Sequence, residues 1–136
     1  MTRDEAVRQV KTYLGDMGVD SPGLGADDWG GIELPEGSVL FEYQAAGTLR
    51  ASALVYRFAR PPSERLRAAL VQAGAQADTG GGGVEFVGDG LSLCLSRTYA
   101  TAVDPDLFQA QIEALYGASR DWEAEVLPAC EQAVGE

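Results

Sequence analysis

The spacing of apolar residues predicts a helix near the N-terminus. Thr2 and Glu5 have the spacing of a capping box, in which each side chain satisfies a free backbone amide. Apolar residues then recur every three or four positions, as on one face of a helix: Ala6, Val7, Val10, Tyr13, Leu14 and Met17. The run Ser21-Pro22-Gly23 predicts the end. Such a face packs on its own domain or on a partner.

From residue 29 to residue 59 the period changes to two, which predicts three strands at 29–34, 38–45 and 48–59. Short turns at 35–37 and 46–47 make them an antiparallel meander. Alternation assigns the side chains of the second and third strands to two faces. One face takes Val39, Phe41, Tyr43, Leu49, Ala51, Ala53 and Val55, and the other takes Leu40, Leu54, Tyr56 and Phe58.

The next segments predict a short helix, a glycine connector and a hairpin. The stretch 63–76 is rich in Ala, Leu and Arg and follows two prolines. The run Gly80–Gly83 predicts a flexible connector, since it lacks the Gly-Lys-Ser/Thr ending of a phosphate-binding loop. Asp89 between two glycines predicts the turn of a hairpin over 84–99 that points Leu91, Leu93 and Leu95 inward.

Asp104-Pro105 predicts the start of a long last helix, with a capping carboxylate and a proline at the first helical position. Its apolar stripe runs from Phe108 to Ala133, and we expect Gly117 and Pro128 to bend or break it. Residues 104–136 contain eight acidic residues and one basic residue, Arg120. This face is either simply solvated or an acidic surface beside an apolar groove.

The predicted order is α-β-β-β-α-β-β-α over one domain, residues 1–136. We expect an α+β fold with a five-stranded antiparallel sheet packed with helices. Leu54, Tyr56 and Phe58 then exceed what the core needs, and uncovered they would expose an apolar patch on the order of a few hundred Å². The alternative is a bulge that turns all three inward.

Composition excludes several classes of function. The 136 residues contain 10 Lys plus Arg against 21 Asp plus Glu, a net charge of −11. Such a surface repels nucleic acid and anionic lipid, so we expect neither as a partner. There is no histidine, which removes the histidine-activated nucleophiles and the commonest transition-metal ligand. We predict no catalytic residues, no metal and no cofactor.

The remaining chemical candidates have structural explanations. The pairs Asp27-Asp28 and Asp104/Asp106 fall at a turn and a helix start, where capping accounts for them. Cys94 and Cys130 are predicted to be reduced and buried. No apolar run approaches the length of a membrane span, and the first residues lack the apolar core of a signal peptide. We therefore expect a cytoplasmic protein.

Four local patterns, in this order, resemble the class I type III secretion chaperones, the Tir-chaperone or CesT-like family. They are the end of the first helix at 14–19, the strand at 31–34, the hairpin at 88–93 and the helix from Phe108 to Trp122. The resemblance spans nearly the whole chain. YbjN-like proteins share this fold and offer an alternative, a regulatory domain that binds another protein.

The resemblance implies a homodimer that binds an extended segment of a client or effector protein without catalysis. It implies pairing through the second helix and a neighbouring strand, here Leu66, Leu70, Val71, Val84 and Phe86. The client would cover apolar patches, for which our candidates are Leu40, Leu54, Tyr56 and Phe58.

Overall fold

The structure, a computed structural model, describes residues 1–136. Helix α1 (Arg3–Asp16) is followed by strands β1 (Trp29–Leu34), β2 (Gly37–Gln44) and β3 (Thr48–Arg57). Helix α2 (Glu64–Ala73), strands β4 (Gly83–Val87) and β5 (Ser92–Tyr99), and helices α3 (Pro105–Asp121) and α4 (Leu127–Val134) complete the chain. A π-helical turn (Trp122–Val126) joins α3 to α4.

The five strands form one antiparallel sheet in the order β1-β2-β3-β5-β4. The predicted element order and sheet are confirmed. The sheet is antiparallel throughout because tight turns join consecutive strands, while α2 connects β3 to β4 at the far edge and β5 returns between them.

The core lies between one face of the sheet and helices α1 and α3. The capping box at Thr2 is present, with the Glu5 amide donating to Thr2 Oγ1 at 3.1 Å. Four aromatic rings meet at the centre, where Tyr13 of α1 and Phe108 of α3 pack on Phe41 of β2 and Tyr99 of β5. Leu93 and Leu95 are fully buried on this face, as the alternation of β5 predicted.

The glycine run is packed against α3, so the prediction of a flexible connector is wrong. A Cβ atom on Gly82 would lie 2.5 Å from the carbonyl oxygen of Ser96, and one on Gly80 would overlap the backbone at Ala114. Trp122 Nε1 donates to the carbonyl oxygen of Asp78 at 2.8 Å. Positions 80 and 82 need glycine because the backbone there passes too close to its neighbours for a side chain.

The last helix is interrupted at one of the two expected positions. Gly117 lies inside the regular part of α3, so the bend expected there is wrong. The irregular turn comes just before Pro128, where the Leu127 amide donates to the carbonyl oxygen of Trp122, five residues earlier. Proline has no amide hydrogen and its ring crowds the carbonyl four residues back, which the wider π turn relieves.

Candidate functional site

A bulge in β3 decides which apolar side chains share a face. Leu54 pairs with Cys94, but the register then shifts and Tyr56 pairs with Leu93, whose side chain is in the core. Directly opposed residues point to the same side of a sheet. Tyr56 and Phe58 therefore lie on the helix side, with their rings 5.0 Å apart. The prediction that Leu54, Tyr56 and Phe58 share one face is wrong, and so is the alternative that all three turn inward.

Leu54 remains on the sheet face away from α1 and α3, which we call the open face. Leu40 lies on the same face with 37% of its surface exposed. The two leucines help line a cleft of about 390 Å³, walled entirely by strand and hairpin-turn residues. The other lining residues are Trp29, Arg57, Val87, Gly88, Asp89, Ser92 and Cys94. We call this the open-face cleft.

One wall of the cleft is an ion pair held by the hairpin turn. Arg57 donates to Ser92 Oγ at 2.7 Å and to Asp89 Oδ2 at 3.1 Å. The Leu91 amide donates to the other oxygen of Asp89. Hydrogen bonds from Arg57, and then from the Leu91 amide, lower the pKa of Asp89. The guanidinium is thus held in place beside an apolar floor.

Arg50 borders the apolar part of the open face. Its guanidinium bridges Glu42 on β2, at 2.6 Å, and Glu85 on β4, at 3.1 Å. Next to Arg50 on the same face, the hydroxyls of Ser52 on β3 and Ser96 on β5 lie 2.8 Å apart and are buried. Only Nε of Arg50 is buried without a hydrogen-bond partner. The open face therefore has a polar half, whose charged and hydroxyl groups mostly pair with one another, and an apolar half with an open cleft.

Cys94 forms part of the cleft floor and is inert. Burial raises the pKa of its thiol to about 12, so the thiol stays protonated at neutral pH. The sequence pattern placed Cys94 on this face but did not show that it lines a cleft. Trp29 and Val87 were missed too, since nothing in the alternation of β1 or β4 shows which face lacks a helix.

No family model matches the sequence, and no curated protein matches it. Similarity to solved structures is extensive. A chain of the ExsC–ExsE complex is similar with a TM-score of 0.71 and 16% identity, over 92% of this chain and 96% of that one. A chain of the HopA1–SchA chaperone–effector complex is similar with a TM-score of 0.65 and 9% identity, over 90% and 95%.

A third similar structure is a chain of the heterodimeric ExoU–SpcU complex from the type III secretion system of Pseudomonas aeruginosa. It has a TM-score of 0.56 and 15% identity, over 88% of this chain and 95% of that one. This chain has a type III secretion chaperone-like fold. The fold predicted from the resemblance is confirmed, and identities at this level carry no more than the fold.

Within this chaperone-like fold, the five residues predicted for subunit pairing divide into two groups. Leu66 and Leu70 are buried in the chain's own core, so they are not free to contact a second subunit. Val71 is 58% exposed, and Val84 and Phe86 are half-buried beside it at the sheet edge. Arg67 covers the Phe86 ring, with Cζ 4.2 Å from the centroid. We call Val71, Val84 and Phe86 the edge patch.

The carboxylate pairs serve local structure. Asp28 pairs with Arg3 at 2.6 Å, and Asp27 accepts a hydrogen bond from the Trp29 amide. Asp104 caps α3 by accepting from the Asp106 amide at 2.9 Å. No group of three or more Cys, Asp or Glu residues is placed to hold a metal ion. None of the helices is long and apolar enough to cross a membrane.

Proposed function

We propose that this protein is a non-catalytic, dimeric cytoplasmic chaperone or adaptor that binds an extended segment of a client protein. One observation carries the proposal: the fold is similar to a chain of the ExsC–ExsE complex and to a chain of the HopA1–SchA chaperone–effector complex, over about nine-tenths of this chain. The lining of the open-face cleft also supports a binding function, because it offers an apolar anchoring surface but no poised nucleophile, acid or base.

The open-face cleft is the proposed anchor site for the client. Leu40 and Leu54 provide apolar contact at its floor, and each anchoring side chain buried there contributes about 1.5–3 kcal/mol. Arg57 is fixed at the wall and supplies hydrogen-bond donors for client backbone or side-chain oxygens. Apolar anchors with a few placed polar groups are what an extended segment needs for both affinity and register.

Charge explains how such a surface stays soluble without a client. The net charge of −11 keeps like molecules apart and attracts client segments that carry positive charge. A dimer must overcome the same repulsion through apolar contact. The edge patch is our proposed subunit interface, since Val71 is the most exposed of the large apolar side chains.

The test is a comparison of three proteins purified from the native cell. They are the wild type, the double variant Leu40→Ser/Leu54→Ser, and the control Leu107→Ser, which alters an exposed leucine on α3 away from the cleft. Limited proteolysis of the purified complex identifies the client segment that the protein protects. A synthetic peptide of that segment should bind the wild type and the control equally, and the double variant at least ~30-fold more weakly.

Two outcomes would contradict the proposal. If the peptide binds the double variant as well as the wild type, the cleft is not the client site. If only an intact folded partner binds and no peptide does, the protein is a regulator of folded proteins, as the YbjN-like alternative holds.

A further inference from the structure

A second apolar depression lies between α2 and α4, away from the open face. It has a volume of about 420 Å³. Its apolar lining residues are Ala69, Ala73, Val126, Ala129, Cys130 and Ala133. Gln72, Gln76 and Glu125 form its polar margin. We call it the helix groove.

The helix groove and the edge patch lie on opposite sides of α2. Ala69 and Ala73 are two residues away from Val71 in either direction, which at 100° per residue places them across the helix axis. A subunit seated on the edge patch therefore leaves the helix groove uncovered. The groove is also separate from the open-face cleft, with which it shares no residue.

The wall formed by the π turn and α4 is anchored to the rest of the chain. Trp122, at the start of the π turn, is buried and hydrogen-bonded to Asp78, and the π turn presents Val126 toward α2. The alanines recur four residues apart on both helices, so each wall has a shallow row of small side chains. Burial raises the pKa of the Cys130 thiol, which keeps the floor of the groove uncharged.

The shape indicates what kind of element fits. Both walls are helices whose backbone groups bond within the helix, so they offer no free edge to an added strand. A row of small residues on each wall accepts the larger side chains of a third helix, spaced three and four positions apart. The fitting partner is a helix with one apolar face.

The charge around the groove indicates the other face of that helix. Glu125 lies at the margin, and residues 121–136, which form this wall, contain five acidic residues and no basic residue. The other wall, α2, contains Arg65 and Arg67, and Arg67 is turned away to cover Phe86. A second copy of this chain would bring the same excess of acid to the contact. Lysine or arginine beside the apolar face of the partner would instead be attracted.

We propose that the helix groove binds a short amphipathic helix of another protein, with leucine-sized residues on one face and lysine or arginine along its flanks. This binding is separate from client anchoring in the open-face cleft, so either proposal can fail alone.

The experiment uses a fluorescent synthetic peptide of about 18 residues, long enough to be helical, with leucines in i, i+3, i+4, i+7 spacing and lysines elsewhere. Two further peptides are a scrambled sequence of the same composition and a version with glutamate for lysine. Fluorescence anisotropy measures binding to the full chain. We expect the patterned lysine peptide to bind at least tenfold more tightly than either of the others.

The variants test the location. Ala129→Phe fills the groove from an exposed position and should weaken binding at least tenfold, whereas Ala110→Phe, an exposed change on α3, should leave it unchanged. Glu125→Gln should weaken binding and flatten its dependence on salt. Leu40→Ser/Leu54→Ser should have no effect. If Ala129→Phe impairs folding by circular dichroism, Ala133→Phe, also exposed in the groove, replaces it.

Three results would overturn the proposal. Equal binding of the scrambled peptide would mean that attraction is by charge alone. Equal loss with Ala110→Phe, or no loss with the groove-filling variant, would place the peptide elsewhere. A change in mass by light scattering on filling the groove would show that a second copy of the chain occupies it.

Discussion

Arg120 donates a hydrogen bond from Nη2 to the carbonyl oxygen of Leu54, at the step of β3 where its register with β5 shifts. The same guanidinium donates to the carbonyl oxygen of Glu36 in the turn between β1 and β2. A Cβ atom on Gly37 would lie 3.0 Å from Cζ of Arg120, so glycine at position 37 lets the guanidinium approach the backbone without a tight contact. One side chain thus ties α3 to both the bulge and the first turn of the sheet.

Replacing Arg120 by methionine should lower the free energy of unfolding by about 2–3 kcal/mol, because two carbonyl oxygens lose a charged donor while the aliphatic volume is kept. Arg120→Lys should recover only part of this loss, since an ammonium cannot reach two diverging carbonyls as a planar fork does. Urea denaturation measures both changes.

Arg8→Ala is the matched control, because Arg8 is exposed on α1 and should change stability by less than about 0.5 kcal/mol. A methionine variant as stable as the wild type would show that the bulge holds without Arg120.

The bulge also marks how far the sequence could predict the site. Alternation assigned Leu49, Ala51, Ala53, Val55 and Leu54 to the correct faces, since period two is a property of the regular strand. It failed at Tyr56 because one extra residue reverses the faces of all that follow. The donor at the bulge comes from Arg120, 66 positions later in the chain, and no local pattern contains that information.

The last helix also shows what a sequence pattern can predict and what it cannot. The stripe predicted from Phe108 to Ala133 matches the buried face as far as Trp122, because 3.6-residue periodicity reflects one-sided burial, but Ala129 and Ala133 at its end are exposed. An apolar groove beside the acidic face was one of two alternatives for the last helix, but the sequence did not show that α2 forms its other wall, although alanines spaced by four on α2 and α4 were visible. Small residues on two helices become a groove only when the fold places the helices side by side.

Gly82→Ala should destabilise the protein by about 2 kcal/mol or more, because the new methyl group would meet the Ser96 carbonyl oxygen at 2.5 Å. Gly83→Ala is the control within the same run. A Cβ atom there has nothing within 4 Å, so this variant should match or slightly exceed wild-type stability. Thermal or urea unfolding compares the two.

Equal tolerance of both alanines would mean that the glycine run is mobile in solution rather than packed on α3.

Val71→Glu should convert a dimer to a monomer, if the edge patch is the subunit interface as proposed. In a two-fold interface the new carboxylates would be brought together and desolvated, on a chain that already carries a net charge of −11. The mass measured by light scattering at about 50 μM should fall from twice 14.4 kDa to 14.4 kDa. Leu107→Glu adds the same charge at another exposed apolar position, 48% exposed, and should leave the mass unchanged.

A wild-type chain that is monomeric at this concentration would contradict the proposed homodimer. A dimer that persists with glutamate at position 71 would place the interface elsewhere.

Stability should fall as the pH rises above about 9, through the thiol of Cys94. Burial raises the pKa of this thiol from 9.0 to about 12 in the folded protein. Between these values the unfolded chain releases the proton and the folded chain keeps it, so the unfolded state gains by at most about 1.4 kcal/mol per pH unit. Below pH 9 both states hold the proton and the thiol contributes no pH dependence.

Urea denaturation at about pH 8, 9, 10 and 11, in the presence of a phosphine reductant, measures how steeply stability falls with pH. Tyr13, whose pKa burial raises to about 12, adds a second contribution that begins near pH 10 and that Tyr13→Phe removes. Cys94→Ala should reduce the slope between pH 9 and 10, before Tyr13 contributes, and the remainder comes from Cys130, whose thiol pKa is also raised by burial. An unchanged slope in that variant would mean that the thiol on the cleft floor ionises as readily as one in water.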